Sequence, residues 1–485
     1  MKGDYGGMGM LKSISLENYK CFKDKTDIEI APLTVLCGVN SSGKSSILKS
    51  LLMLKQTFED TNTSDQMLFN GKYIDNGTFS EILCDQHSEN FFTISNTFEL
   101  KRSKETASKD NVQFRDLNRL YYRNDVEKFI INYCVSIDNS GASLYANKLH
   151  AIDVNIEVEL KTGSINSRIE LCRNGKKTYT VRGTQIPDVA GNLGDFNINN
   201  AICYFRNMTL NSIYEERMNP STKLFIPTLT SIFSILPSQY IQLQYIAPLR
   251  ENPMRRYIAD KKVVDVGVSG EDTPLLLKNK QKNTVVGVMA PESEDNYVPS
   301  QTVCESNKFI DLIGSWMQYL ELGTLFLDNR QQDLVKVRIN KHNLVDVGFG
   351  ISQSLPILAE GIIMSSNQTL ILEQPEIHLH PKMQMRMADF LLSLSTHDKS
   401  VVIETHSDHF VNRIVRRYME DVEVRDKIQI YFVDQNELGM SFITPIVIDE
   451  VDGALCENEN FFYQFSNETA KIIDVGYRNL QKQES

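Results

Sequence analysis

Eight consecutive residues carry the clearest chemistry in this chain. Gly38-Val39-Asn40-Ser41-Ser42-Gly43-Lys44-Ser45 fits the pattern G-x-x-x-x-G-K-[ST] of a phosphate-binding loop. Gly38 and Gly43 permit the tight turn that aims backbone N–H groups at phosphate oxygens. Asn40, Ser41 and Ser42 lie between them and Ser46 follows, so Gly38 through Ser46 form the candidate cradle. Lys44 has the reach for the β- and γ-phosphates, and the Ser45 hydroxyl suits a Mg²⁺ position. A second set lies far along the chain. Thr369-Leu370-Ile371-Leu372-Glu373 reads as a buried strand that delivers a carboxylate at its tip, suited to holding Mg²⁺ directly or through water. Gln374 and Glu376 come next. Glutamine orients a water but cannot take its proton, whereas Glu376 can. Thr405-His406-Ser407-Asp408-His409 follows a further apolar strand. A hydrolase triad within it is excluded, because adjacent residues do not converge on one atom.

These groups need particular elements to position them. Residues 32–37 read as an uncharged buried strand and 46–55 as a helix, the flanks a phosphate loop requires. The helix start adds its own preference for an anion. Residues 11–19 and 27–30 alternate like half-buried strands, which predicts a mixed sheet rather than a purely parallel one. Residues 60–90 read as a polar connector. Between 91 and 183 strands dominate, with a hairpin signal at Asn174-Gly175 and a charged loop over 101–126. The pattern turns helical over 195–240, as in 228–236, and loop-like over 265–305. Arg250, Arg255 and Arg256 form a basic break, read as a solvated, locally paired surface with nucleic-acid contact as the alternative. Gly348, Gly350, Ser352 and Gln353 precede a helix over 355–364, a second anion-binding helix start. Further strands are expected over 335–339, 399–404, 428–433 and 442–448, with a helix over 383–394.

Composition narrows the class. The 485 residues are 41% hydrophobic and 23% charged, with a net charge of −11, which argues against a broadly basic nucleic-acid coat. No run approaches a membrane span, and no signal peptide is read at the N-terminus, so a cytoplasmic protein is expected. The eight cysteines are scattered without a C-x-x-C, pointing to reduced thiols rather than zinc or disulfides. The first ten residues read as a loose leader.

The stretch "ISLENYKCFKDKTDIEIAPLTVLCGVNSSGKSSILKSLLMLKQ" and the motif "EQPEIHLHP" resemble ATPases related to the ABC, SMC and RecF heads. They are most similar to bacterial AAA family ATPases of the OLD, Septu and PARIS types. The resemblance implies several roles. Gly348, Gly350, Ser352 and Gln353 take the place of the signature motif that meets a γ-phosphate bound by another subunit, although they depart from L-S-G-G-Q. Gln374 stands where the family has a second acid, which puts fast hydrolysis in doubt, and Glu376 is a substitute held open beside it. His406 matches the histidine that senses the γ-phosphate. Gln86, or Gln56 on a helix surface, is the candidate for a glutamine that joins Mg²⁺. Residues 18–22 lie near the adenine in the family, although Tyr19 and Phe22 read here as core. His378 and His380 read as a subunit-contact turn rather than a metal site.

The expected fold is α/β: an ABC-ATPase-like P-loop head with a mixed sheet, a β-rich arm and a helical insertion. Residues 1–90 and 331–485 would form the head and 91–330 the insertion. No heptads occur, so an SMC-like arm is not expected. The resemblance implies ATP and Mg²⁺ between two subunits of a homo-oligomer facing head to tail. It further implies the ATPase subunit of an anti-phage system with a separate effector nuclease. A RecF-like DNA-repair ATPase and a non-hydrolysing ATP-bound scaffold are the alternatives. With about 75 residues after the histidine motif and no D-x-D among them, an intrinsic TOPRIM nuclease is not expected.

Overall fold

The computed structural model describes residues 9–60, 66–85, 91–101, 126–139, 147–161, 163–173, 178–184, 193–199, 237–259, 261–328 and 334–456. The phosphate-loop strand Leu33–Gly38 lies at the centre of a seven-stranded sheet. The order is Gln244–Ile246, Thr369–Glu373, Ser400–Glu404, Leu33–Gly38, Ile428–Gln435, Ser441–Ile448 and Leu455–Cys456. The first five strands run parallel, and Ser441–Ile448 is antiparallel to both its neighbours. Every residue of Leu33–Gly38, Thr369–Glu373 and Ser400–Glu404 is buried, as expected for parallel strands covered on both faces.

The sheet is mixed, but its antiparallel members come from the C-terminal part. Met10–Glu17 and Thr26–Glu29, expected in this sheet, instead begin a second, wholly antiparallel one of eight strands. That sheet continues through Phe91–Lys101, Val126–Asn139, Asn147–Leu160, Gly163–Arg173, Thr178–Thr184 and Leu193–Asn199. Period-2 alternation says only that one face is covered, and here the covering element is the phosphate-loop helix Lys44–Glu59. Ile14, Leu16, Phe92, Ile94, Phe98, Ile131, Val135, Ile152 and Val154 share one core with Ile47, Leu48, Leu51, Leu52 and Phe58 of that helix. Leu36, Ile371, Val402 and Val433 of the seven-stranded sheet join from the other side. The helix is sandwiched, which explains why its buried residues run unbroken from Ser50 to Phe58. Removing one such side chain, as in Leu51→Ala, costs about 2–5 kcal/mol.

The opposite face of the seven-stranded sheet packs on helices Phe309–Tyr319, Phe349–Ile363, Pro381–Ser395 and Asp408–Glu420. The region 265–305, read as loops, contains helix Thr273–Lys280 and a hairpin of Thr284–Val288 with Cys304–Lys308. Leu275, Leu276 and Leu277 bury this helix against the sheet's helical layer, an apolar triplet that the flanking Gly and Pro residues obscured. Strands Gly163–Arg173 and Thr178–Thr184 pair antiparallel around the Asn174-Gly175 signal. That turn itself, the charged loop and the helix over 228–236 lie outside the described residues. Among the described residues no helix is long and apolar enough to cross a membrane.

Candidate nucleotide site

The parallel strands deliver their loops to one end of the sheet. Gly38 has φ +137, and a Cβ there would stand 2.1 Å from the Val433 carbonyl. Gly43 has φ +102, and its Cβ would meet Cys21 Sγ at 2.5 Å. Both positions therefore require glycine for conformation and for space. Gly43 is also the N-cap of the helix, with no side chain capping the first turn. The amides there keep their polarity for an anion. Asn40 and Ser41 are exposed, Ser42 is buried and Ser46 is half-buried. Lys44 is only 3% exposed, and its Nζ donates to the Gly38 carbonyl at 3.1 Å and to the Val39 carbonyl. Burial lowers its pKa, with Glu404 opposing.

Two residues of the C-terminal strands brace the loop from outside. Gln435 Nε2 donates to the Ser41 carbonyl at 2.9 Å, and Ser441 Oγ to the Ser42 carbonyl at 2.6 Å. The Ser45 hydroxyl donates to Glu404 Oε1 at 3.0 Å. Glu404 ends the strand between the phosphate-loop strand and Thr369–Glu373, so it lies level with Glu373. Burial pushes the Glu404 carboxyl up to about 7; the Ser45 bond pulls the other way, and Glu373 and Glu376 add to the rise.

Glu373 accepts from the Tyr245 hydroxyl at 2.7 Å, and burial raises its pKa against that bond. Gln374 sits at φ +48, its N–H donating to the Glu404 carbonyl at 2.7 Å. Glu376 accepts from the His406 N–H at 2.8 Å, and its pKa too is raised by burial. Burial holds the His406 imidazole below its usual range, with Lys44 reinforcing the effect and the Gly38 carbonyl opposing it. Gly38 through Ser46, Glu373, Gln374, Glu376 and His406 are thus gathered at one sheet end, with Glu404 among them.

The contacts of the other named residues run elsewhere. Gly348 is exposed at the N-cap of Phe349–Ile363, and a Cβ on Gly350 would stand 2.6 Å from the His378 carbonyl. Ser352 Oγ donates to the Phe349 carbonyl at 2.8 Å, and Gln353 Oε1 accepts from the Arg250 N–H at 3.3 Å. His378 meets Phe349 edge-on at 4.9 Å, and His380 caps helix Pro381–Ser395. Gln86 lies outside the described residues. Gln56, read as a surface residue, is 4% exposed: the helix is covered on both sides, and its amide bonds the Leu68 carbonyl at 2.7 Å. Tyr19 and Phe22 are fully buried core. Among the described residues no three His, Cys, Asp or Glu side chains converge as a metal cage.

Sequence reasoning missed Glu404, Tyr245, Gln435, Ser441 and the role of Arg250. Arg250 is not solvated surface but 5% exposed: Nη2 donates to the Glu373 carbonyl at 3.0 Å and Nη1 to the Gln374 carbonyl at 3.2 Å. Arg255 pairs with Asp346 at 2.7 Å. Only Glu404 had a readable signal, an apolar run ending in an acid, the same pattern that marked Glu373.

Residues 10–411 match the family described as AAA ATPase domain. No curated protein matches the chain. Among solved structures, the SMC head domain from Thermotoga maritima is similar at 12% identity and TM-score 0.36, over 90% of this chain and all of that one. An Smc head bound to the C-winged helix domain of ScpA is similar at 11% identity and TM-score 0.39, over 91% and 98%. The Smc head with an extended coiled coil, bound to a ScpA domain derived from Pyrococcus furiosus, gives 11%, 0.38, 90% and 96%. Such distant likenesses add nothing to the assignment, which rests on the match over 10–411 and on the gathered site. That match runs unbroken from the phosphate loop through the acid strand to His406, and the chain belongs to the AAA ATPase domain family.

Proposed function

We propose that this chain binds Mg-ATP at Gly38–Ser46 and acts as the nucleotide-controlled subunit of an anti-phage defence complex with a separate effector nuclease. The observation that supports nucleotide control most is the meeting of an uncapped helix start, Lys44 and Ser45 with buried carboxylates at one sheet end. The donor set fits the metal: a hydroxyl and carboxylate oxygens are hard ligands of the kind Mg²⁺ takes beside phosphates. Ser45 and Glu373 are the residues to hold it, with Gln86 a further candidate. When bound, the ion neutralises charge on the β- and γ-phosphate oxygens.

The chain's own residues do the rest. Lys44 leaves the carbonyls of Gly38 and Val39 for phosphate oxygens, a better partner for a buried ammonium. Gln374 orients the attacking water without taking its proton, so turnover is slow, and Glu376, two residues on, is the acid that could substitute. His406, beside Lys44 and Gly38, reports on the γ-phosphate. Gly348, Gly350, Ser352 and Gln353 of a second copy, facing head to tail, complete the site. Closure of that dimer is then a switch set by the γ-phosphate.

The defence role and the nuclease partner rest on the Septu-like motif resemblance, and a cytoplasmic setting accompanies them. In this reading residues 1–90 and 331–485 form the head and 91–330 the insertion, of which Gln244–Ile246 pairs with Thr369–Glu373. Gln374 also favours a second reading, a scaffold that keeps its ATP unhydrolysed. A DNA-repair role draws less support, since Arg250 is buried and Arg255 is paired. Titration with a fluorescent ATP analogue and magnesium tests the core of the proposal: wild type binds, and Lys44→Ala weakens binding at least about tenfold. A wild-type chain without affinity refutes it. Co-purification of a nuclease encoded beside this chain tests the defence role, and ATP retained unhydrolysed through purification marks the scaffold.

A further inference from the structure

Two buried strands of this sheet end in a glutamate, and only one of the two carboxylates touches the phosphate loop. Glu404 Oε1 accepts the Ser45 hydroxyl at 3.0 Å. Its other oxygen, Oε2, is buried without a hydrogen-bond partner, in a side chain 4% exposed; Glu376 Oε2 is orphaned likewise, but its other oxygen bonds the His406 N–H rather than the phosphate loop. An ionised or neutral carboxyl oxygen out of water and unpaired is a cost that a protein carries where a ligand will meet it. Glu373, by contrast, has Oε1 occupied by the Tyr245 hydroxyl at 2.7 Å and stands one strand further from Leu33–Gly38. The strand Ser400–Glu404 separates the two, pairing with Thr369–Glu373 on one side and with the phosphate-loop strand on the other.

We propose that Glu404 is the carboxylate that holds the magnesium of a bound nucleotide: it orients Ser45 through Oε1 and offers Oε2 to the ion, directly or through one water. Glu373 then stands behind it as the outer acid. Gln374 fits this arrangement, because its N–H is bound to the Glu404 carbonyl at 2.7 Å. A negative side chain there would add a further carboxylate to Glu373, Glu376 and Glu404, and like charges in a dry site oppose one another. The inference rests on the nucleotide-binding reading above and revises its metal ligand, moving that role from Glu373 to Glu404 while keeping Ser45.

The test compares wild type, Glu404→Gln and Glu373→Gln in the full chain. A fluorescent ATP analogue is titrated in EDTA and across a magnesium series, and Mn²⁺ binding with ATP is read by electron paramagnetic resonance. In Glu404→Gln the amide oxygen can still accept the Ser45 hydroxyl bond, so only the charge is lost. This variant is expected to raise the half-saturating magnesium, and the Mn²⁺ dissociation constant, about tenfold to a hundredfold. Its metal-free nucleotide affinity should stay within about threefold of wild type, which also reports a folded site. Glu373→Gln is expected to shift magnesium dependence less. Unchanged magnesium dependence in Glu404→Gln, or a larger shift in Glu373→Gln, overturns the assignment while leaving nucleotide binding intact. A wild-type chain that binds no nucleotide refutes instead the reading beneath it. If Glu404→Gln does not fold, Glu404→Asp decides: withdrawing the charge by one methylene should raise half-saturating magnesium severalfold, and no rise overturns the proposal.

Discussion

Replacing Arg250 by methionine removes the group that ties the tip of Thr369–Glu373 to helix Phe349–Ile363. The guanidinium donates to the carbonyls of Glu373 and Gln374, at 3.0 and 3.2 Å, while the Arg250 main chain is bound by the Gln353 amide. Arg250 is 5% exposed, and burial brings its pKa down to about 10, opposed by Glu376, Tyr245 and Glu373. Its loss takes a donor from the Glu373 carbonyl, at about 1–3 kcal/mol, and leaves the Gln374 carbonyl with the Ile377 N–H at 3.3 Å, at a smaller cost. Against that stands the relief from burying a guanidinium, itself worth several kcal/mol before pairing. Methionine fills much of the volume, so the cavity contribution is small. The expected net loss is about 2–4 kcal/mol in urea unfolding. Arg250→Lys, a point charge able to serve one carbonyl, should lie between.

The same variant has a functional consequence. Gln374 is held at φ +48 from both sides, its N–H on Glu404 and its carbonyl on Arg250 and the Ile377 N–H. A left-handed φ at a non-glycine costs about 1–3 kcal/mol and persists only where the surroundings enforce it. Without Arg250 the 374 peptide should relax, and the side-chain amide proposed to orient water should move with it. ATP binding by folded Arg250→Met should stay within about threefold of wild type, while turnover per bound nucleotide falls about tenfold or more. Arg250→Met unfolding within about 0.5 kcal/mol of wild type, or a folded variant with unaltered turnover, refutes this account of the residue.

Further outcomes can be measured alongside. Gln374→Glu should raise ATP turnover by restoring a proton acceptor, and no change in a phosphate-release assay counts against that role for position 374. Ser441→Ala removes the bond that braces the Ser42 carbonyl, and nucleotide affinity should weaken about threefold to tenfold with little change in melting temperature. Lys399 donates to the Gly361 and Ile362 carbonyls at 2.9 and 3.2 Å, and burial lowers it from 10.5 to about 8. Between those values the unfolded chain binds the proton that the folded one has released, so this group makes stability rise with pH across the window. The gain totals about 3 kcal/mol by about pH 10.5, and Lys399→Met should lack it when urea midpoints of the two proteins are compared from about pH 8 upward.

What could be read in the sequence was whatever is encoded locally. The phosphate loop shows itself because eight neighbouring residues set both its turn and its chemistry. Glu373 shows itself because an apolar strand ending in an acid has few other uses. The burial of Gln56 and Arg250 was illegible for two different reasons. Gln56 bonds the Leu68 carbonyl and the Tyr73 and Ile74 N–H groups of a segment that reads as a polar connector, whereas Arg250 is enclosed by the tips of Thr369–Glu373 and Phe349–Ile363, far away in the chain. The N-terminal strands misled for a related reason, since alternation reports that a strand has one dry face and not which sheet it joins.

Glu404 marks the limit most clearly. Its strand carries the same local pattern as that of Glu373, so the sequence contains two equivalent candidates for the carboxylate nearest Ser45. Choosing between them takes the order of strands in the sheet, and that order is fixed by parallel pairings between residues far apart in the chain, such as Leu33 with Val401 and Leu36 with Glu404. A parallel neighbour is selected by the packing of whole layers rather than by any residue near the turn. The identity of the metal-side acid is therefore a property of topology. Neutralising the two glutamates in turn, by Glu373→Gln and Glu404→Gln, asks of the molecule the question that the motif alone leaves undecided.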